Sequence, residues 1–191
     1  MVRKKEYNNL NLKIPLASCP HKTEPQIKGD IIMTEKDHKH WMEIAISEAT
    51  ENVVQAEGGP FGAIVVKDGK VIGRGRNSVT SLNDPTAHAE VQAIREACRH
   101  LNDFELKGCT IYTSCEPCPM CLGAIYWSRP DAVYYASTKE DAADIGFDDH
   151  FIYEQIVTPM EDRFIPMKQI QTPDNLLPFN TWRTSSDKIE Y

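Results

Sequence analysis

The chain predicts an α/β architecture, a three-layer α/β/α domain around one five-stranded mixed sheet, on three observations. Asp68-Gly69 stands between two short apolar runs, the signal of a tight antiparallel hairpin. Residues 110–155 then read strand, helix, strand, helix, strand, an order that makes parallel neighbours with right-handed crossovers. At 191 residues the chain is long enough for one domain with a sizeable core.

The elements follow in order. Thr34 with Asp37 forms a capping box, and Trp41, Ile44, Ala45, Glu48 and Ala49 recur at helical spacing until Gly58-Gly59-Pro60 ends the segment. Phe61–Val66 and Val71–Gly75 are the hairpin strands. Asn83-Asp84-Pro85-Thr86 is a turn and cap, after which Ala89, Val91, Ala93, Ile94, Ala97 and Leu101 define a second helix with His88 and Glu90 in its first turn. Thr110–Thr113 is a buried strand, Ser114–Pro117 a loop, and Met120–Ser128 a helix stopped by Arg129-Pro130. Ala132–Ala136 is the next strand. Phe164–Ile170 reads as a further strand and residues 172–188 as one or more helices.

Residues 1–32 differ from the rest: polar, irregular, with prolines at 15, 20 and 25 and an excess of Lys and Arg. They read as a disordered arm before a folded domain at 33–191, and they lack the apolar stretch of an export signal. No membrane span is expected. Residues 33–191 hold 15 Lys and Arg against 25 Asp and Glu, a formal −10. That balance opposes a phosphate-binding surface and favours a small substrate over nucleic acid. Of six cysteines, Cys115, Cys118 and Cys121 are tightly grouped, which suits a metal or redox site in a cytoplasmic protein better than disulfide staples.

Two motifs carry chemistry: His88-Ala89-Glu90 and Pro117-Cys118-Pro119-Met120-Cys121. Taken singly, Cys-x-x-Cys also fits half of a zinc ribbon or a redox pair, and His-x-Glu occurs by chance on helices. Together they offer three zinc ligands, the number a hydrolytic site uses when it leaves the fourth position to water. Cys118 and Cys121 lie one helical turn apart at a helix start, where the positive end of the helix favours thiolates. Glu90, on the same turn as His88, suits a proton carrier. Cys115 is a candidate fourth ligand, with packing the favoured alternative.

With His88-Ala89-Glu90, Pro117-Cys118-x-x-Cys121, Gly59–Ala63, Asn83–Glu90 and Ile145–Asp149 in place, the chain from Lys36 onward resembles the cytidine-deaminase-like zinc hydrolases, and within them the small bacterial guanine deaminases. The resemblance implies one zinc ion per subunit and hydrolysis of guanine to xanthine and ammonia by zinc-bound hydroxide. In this scheme Glu90 shuttles protons and Asp149 is a second acid at the departing amine. A simple capping role for Asp148 and Asp149 is the alternative. The resemblance further implies substrate contacts at Asn77, Phe61, Ala89 and Trp127. It also implies a homodimer in which residues 172–191 are exchanged and the partner's Tyr191 closes the site. Guanosine, cytosine or a tRNA adenosine are alternative substrates, and a zinc-stabilised binding module without activity is the alternative of another class.

Overall fold

The computed structural model describes residues 34–190; the expected arm at 1–32 and the expected site residue Tyr191 lie outside the described residues. Helix α1 (Glu35–Val54) opens on the reciprocal capping box, Asp37 N–H donating to Thr34 Oγ1 at 3.3 Å and Thr34 N–H to Asp37 Oδ2 at 2.8 Å. Its buried stripe is Ala45, Glu48, Ala49 and Asn52, the spacing of one helix face, but two members are polar. Glu48 is accounted for by an ion-pair clamp. Arg74 Nη1 donates to it at 2.5 Å and Arg76 Nε at 2.6 Å, tying α1 to the second strand. Burial alone would push the Glu48 carboxyl up, yet the two guanidinium groups outweigh it and hold the carboxyl below the usual range. The clamp therefore stabilises fully above the ordinary glutamate range and is lost as pH falls through the depressed value.

Strands β1 (Gly62–Lys67) and β2 (Lys70–Arg76) form the hairpin, its turn residues Asp68 and Gly69 both at positive φ (49° and 69°) as a primed two-residue turn demands. A short helix α2 (Val79–Leu82), which the sequence did not announce, precedes α3 (Ala89–Leu101). Strand β3 (Cys109–Cys115) leads into α4 (Pro119–Ser128), β4 (Ala132–Ser137), α5 (Lys139–Asp144), α6 (His150–Val157) and α7 (Leu177–Thr184). The sheet order is β2-β1-β3-β4, antiparallel except for the parallel β3/β4 pair.

Among the described residues the sheet has four strands, not five. The apolar run at 164–170 is not a strand for identifiable reasons. Pro166 has no N–H to give a ladder, Phe164 N–H donates instead to Gln155 Oε1 at 2.7 Å, and Arg163 binds the Thr158 and Ile156 carbonyls, tying the segment back onto α6. His150–Val157 completes the alternation begun at 110 as a helix rather than a strand.

The alternation of side chains along β1 divides the core. Ala63 and Val65 face a cluster with Ala89, Ala93 and Ala97 of α3, Ile111 of β3 and Ile125 of α4. Ile64 and Val66 face α1 with Ala45, Trp41 and Met42, joined there by Tyr112 of β3. Helices thus cover both faces, which is why β1 reads as an unbroken apolar run. Each fully buried Ile or Val contributes about 1.5–3 kcal/mol. The buried Tyr112 hydroxyl is satisfied by His38 Nδ1 at 2.7 Å, and burial pushes its pKa up to about 12.

The tightest packing lies between β2 and α3. A Cβ on Gly75 would stand 1.9 Å from the Ala89 carbonyl oxygen, and one on Gly73 would stand 2.4 Å from that of Ala93. Strand backbone touches helix backbone at the turn that carries His88 and Glu90.

Helix α1 ends in a Schellman motif, Glu57 N–H donating to the Asn52 carbonyl and Ala56 N–H to that of Val53, both at 3.0 Å. The left-handed position is Ala56, at φ 54°, where glycine is the usual occupant. Ala56→Gly is therefore expected to stabilise the protein by about 1 kcal/mol, read as a higher denaturant midpoint with unchanged slope; an unchanged or lower midpoint would contradict this account of the turn.

Candidate metal centre and substrate cavity

His88 is the N-cap of α3 and Cys118 the N-cap of α4, and neither side chain caps its own helix. Both are freed to face a common point. Pro119 occupies the first helical position of α4, where its missing N–H costs nothing, and sets the turn that brings Cys121 onto the same side as Cys118. The Nδ1 atom of His88 lies 3.6 Å from Cys118 Sγ and 3.5 Å from Cys121 Sγ, and all three ligand atoms fall within 4.8 Å of one another. A tetrahedral ion with Zn–S near 2.3 Å and Zn–N near 2.0–2.1 Å requires an S···N edge of about 3.5–3.6 Å. Both S···N distances match that edge, and the donor set fits zinc.

The protonation of the three groups follows from this packing. Cys118 accepts from Cys121 and His88, which overcomes its burial and draws its pKa down to about 4. Cys121, donating to Cys118 and buried, is pushed well above the ordinary thiol value. His88 is raised by its bond to Cys118, against the opposing effect of burial. Metal uptake must therefore displace protons, and affinity falls as the solution becomes more acidic.

Cys115 stands outside the ligand set. Its Sγ donates to the Thr138 carbonyl at 3.4 Å, and burial pushes its pKa up to about 11. It lines the cavity as a neutral thiol, and among the described residues His88, Cys118 and Cys121 form the ligand set, the number that hydrolytic zinc uses.

The centre lies in the wall of a cavity of about 700 Å³. Glu90, in the first turn of α3, is only 6% exposed, and burial foremost, then the Cys118 charge, raises its carboxyl above the usual range. Asn77, 7% exposed, follows β2; its Oδ1 accepts from Gly59 N–H and Val79 N–H, both at 3.4 Å, which leaves Nδ2 as the donor for the cavity. Phe61 lines the cavity and meets Phe147 edge-on, with ring centroids 5.0 Å apart at 89°.

The Asp148-Asp149 pair divides its labour. Asp148 Oδ1 accepts from His150 N–H at 2.8 Å and so closes the turn before α6. Asp149 occupies the N-cap position with no side-chain capping bond and lines the cavity, its carboxyl raised by partial burial and then by the Cys118 charge.

The structure thus brings together His88, Cys118, Cys121, Glu90, Asp149, Asn77 and Phe61. It does not bring in the two other expected contacts. Ala89 is fully buried in the core with Ala93 and Ala97 and is not part of the cavity lining; its backbone carbonyl lies against Gly75 of β2. Trp127 is 63% exposed on α4 and is likewise absent from the lining. Conversely, Phe147 and Glu116 line the cavity without having been singled out; Glu116 accepts from Lys139 N–H at 3.3 Å. Phe147 lay inside the quoted Gly-Phe-Asp-Asp segment, but nothing in the sequence separates a wall residue from a core one.

This arrangement of an imidazole, two cysteine sulfurs and a buried carboxyl group over a four-stranded mixed sheet is that of a zinc-dependent deaminase. The model of the cytidine and deoxycytidylate deaminase zinc-binding region matches residues 35–137, and the chain belongs to that family. It is 54% identical over 155 residues, 81% of this chain and 99% of the other, to the guanine deaminase of Bacillus subtilis. A solved structure of a Bacillus subtilis guanine deaminase superposes with TM-score 0.80 at 55% identity, covering 81% of this chain and 98% of that one. The tRNA-specific adenosine deaminase of Aquifex aeolicus is 44% identical over 99 residues, 52% of this chain and 65% of that one. A Nitrosomonas europaea guanine deaminase structure gives TM-score 0.55 at 34% identity, covering 57% of this chain and 63% of that one.

Because Cys115 already has its partner in a carbonyl, Cys115→Ser is expected to retain one zinc per chain, whereas Cys118→Ser or Cys121→Ser loses it. Atomic emission on the purified, folded variants decides this; loss of zinc from the Cys115 variant would make the site four-coordinate and closed.

Proposed function

We propose that the protein deaminates guanine by hydrolysis, giving xanthine and ammonia. The observation that carries the reading is the buried Glu90 carboxylate beside the three-ligand zinc site, opening onto a cavity that also holds Asn77 and Asp149. The likeness to the Bacillus subtilis guanine deaminase spans 155 residues, against 99 for the Aquifex aeolicus adenosine deaminase, and so includes the segment that supplies Phe147 and Asp149. The acidic balance of residues 33–191 also disfavours a tRNA substrate.

Zinc in this site lowers the pKa of a bound water and so supplies a nucleophile at neutral pH. The protein's own groups do the rest. Asn77 donates through Nδ2 to the acceptor edge of the purine while Phe61 and Phe147 cover its face. As the new C2–O bond forms, Glu90 takes a proton from the attacking water and delivers it to the ring nitrogen beside C2. The C2–N bond to the exocyclic amine then breaks, the remaining water proton passes to the amine, and Asp149 escorts that proton so that ammonia leaves. A carboxyl raised by burial is suited to both halves of such an exchange.

The same reading extends to assembly. From residue 143 to residue 190 no side chain is buried, although the segment carries Phe164, Leu177, Phe179 and Trp182. On α4, Leu122, Tyr126 and Trp127 are also exposed. An apolar surface of this extent is unusual for a monomer, and it supports a homodimer in which residues 172–191 pack on the partner and Tyr191 closes its cavity. Among the described residues no helix is long and apolar enough to cross a membrane. The grouping of Cys118 and Cys121 with His88 as a metal site rather than as disulfide partners fits a reducing, cytoplasmic setting.

Ammonia release by the zinc-loaded protein is expected from guanine, and not from adenine, cytosine or an anticodon stem-loop RNA; release from one of these without guanine would reverse the reading. Glu90→Ala should retain zinc and lose about 10²–10⁴-fold in rate, with Asp149→Asn slower than wild type by at least tenfold. A near-normal rate for Glu90→Ala would remove Glu90 from the mechanism, and no ammonia release from any of these bases by the zinc-loaded wild type would favour a zinc-stabilised binding module.

Deleting residues 172–191 should convert a dimer into a monomer in sedimentation and raise KM for guanine. A full-length monomer with full activity would contradict the exchanged tail.

A further inference from the structure

Asn52 is the one polar side chain on the buried stripe of α1 that the Glu48 clamp does not explain. It is 1% exposed, and its Nδ2 donates both protons, to the Gly59 carbonyl and to the Asn77 carbonyl, each at 2.8 Å. Its Oδ1 is buried without a protein partner. The side chain is therefore a double donor. The orientation of the amide is fixed by its neighbours, since turning it over would set one oxygen against two others.

The two carbonyls belong to neighbouring segments that both line the cavity. Gly59 lies in the turn after α1, whose start is held by the Asn52 backbone carbonyl accepting from Glu57 N–H. Asn77 follows β2 and lines the cavity, and with Oδ1 engaged its Nδ2 is the group left to donate there. The two segments touch closely: a Cβ on Gly58 would stand 2.0 Å from the Asn77 carbonyl oxygen and 3.0 Å from Asn52 Nδ2. Gly59 N–H in turn donates to Asn77 Oδ1. Asn52 thus sits behind a closed set of bonds in which Asn77 is gripped through its main-chain oxygen by Asn52 and through its side-chain oxygen by Gly59.

We infer that Asn52 is a positioning residue for purine recognition, acting through Asn77: it fixes the Asn77 backbone against the Gly58-Gly59 turn so that the Asn77 amide presents Nδ2 at one position in the cavity. The inference rests on the guanine reading for the identity of the ligand, but not for the geometry of the clamp. No residue of similar size other than asparagine can replace it. Aspartate offers acceptors to two carbonyls, leucine offers nothing, and a buried carbonyl left unpaired carries the full cost of its desolvation. A displacement of about 1 Å at a substrate-orienting group is enough to cost on the order of 100-fold.

The test is a double-mutant cycle in the full-length, zinc-loaded protein. Asn52→Leu, Asn77→Ala and the double variant are compared in kcat/KM for guanine, with Asn52→Asp as the isosteric substitute should the leucine variant fail to fold. Asn52→Leu and Asn52→Asp are each expected to lose 10- to 100-fold, mainly in KM, with zinc content unchanged. The double variant should be no worse than Asn77→Ala alone. A purely structural Asn52 would give losses that multiply, and multiplied losses, or wild-type kinetics in the Asn52 variants, would overturn the inference.

Hydrogen exchange of the Asn52 side-chain amide in the wild-type protein reads the clamp independently of activity: slow exchange of both protons is expected, and exchange at the solvent rate would overturn it. Wild type that releases no ammonia from guanine but shows slow exchange would sink the guanine reading and leave the clamp standing, with the cycle then run on the base that is deaminated.

Discussion

Everything in this protein is arranged around the meeting of two helix starts. Helices α3 and α4 begin at His88 and Cys118 with their first turns facing one point, and each places a ligand at its N-cap rather than a capping side chain. The unpaired N–H groups and the positive ends of both helices thereby face two sulfurs and the Glu90 carboxylate, where negative charge is wanted. A site on one helix would not have this symmetry of field, and a site on loops would not have its rigidity.

The sheet exists, in functional terms, to hold those two starts at the right separation. Strand β3 delivers the chain directly to Cys118, and β1 lies between β3 and β2, so α3 is placed against the far strand of the hairpin. The Cys118 and Cys121 sulfurs lie 3.5–3.6 Å from His88 Nδ1 as a result of strand order and helix contact. On the opposite face, α1 supplies counterweight through Glu48 and the arginines of β2, and its C-terminal turn forms part of the rim of the cavity.

Much of this was legible from residues alone because the signals are local. The capping box at Thr34, the Asp68-Gly69 turn, the proline at the start of α4 and the spacing of Cys118 and Cys121 each act over four residues or fewer. What escaped depends on tertiary surroundings. The run at 164–170 has strand-like composition, but Pro166 and the side-chain bonds of Arg163 and Gln155 give it a different set of partners. Ala89 lies inside the ligand motif yet is buried in the core, and Trp127 is exposed on α4, because orientation is set by how a helix rolls on its neighbours. Asn52 did leave a trace: it falls at the fourth position of an Ala45, Glu48, Ala49 stripe, where a polar residue without an obvious partner marks a specific bond. Phe147 left none.

The backbone contact between β2 and α3 has a bearing on how such an enzyme changes over generations. With glycines at 73 and 75 there is no side chain between strand and helix to be enlarged, trimmed or reshaped. The metal centre therefore has no fine adjustment from behind; a substitution there moves the helix by the width of a methyl group or not at all. The turn after α1, the segment following β2 and the stretch leading into α6 line the cavity in front of that contact, and a change of pocket shape has to be made there.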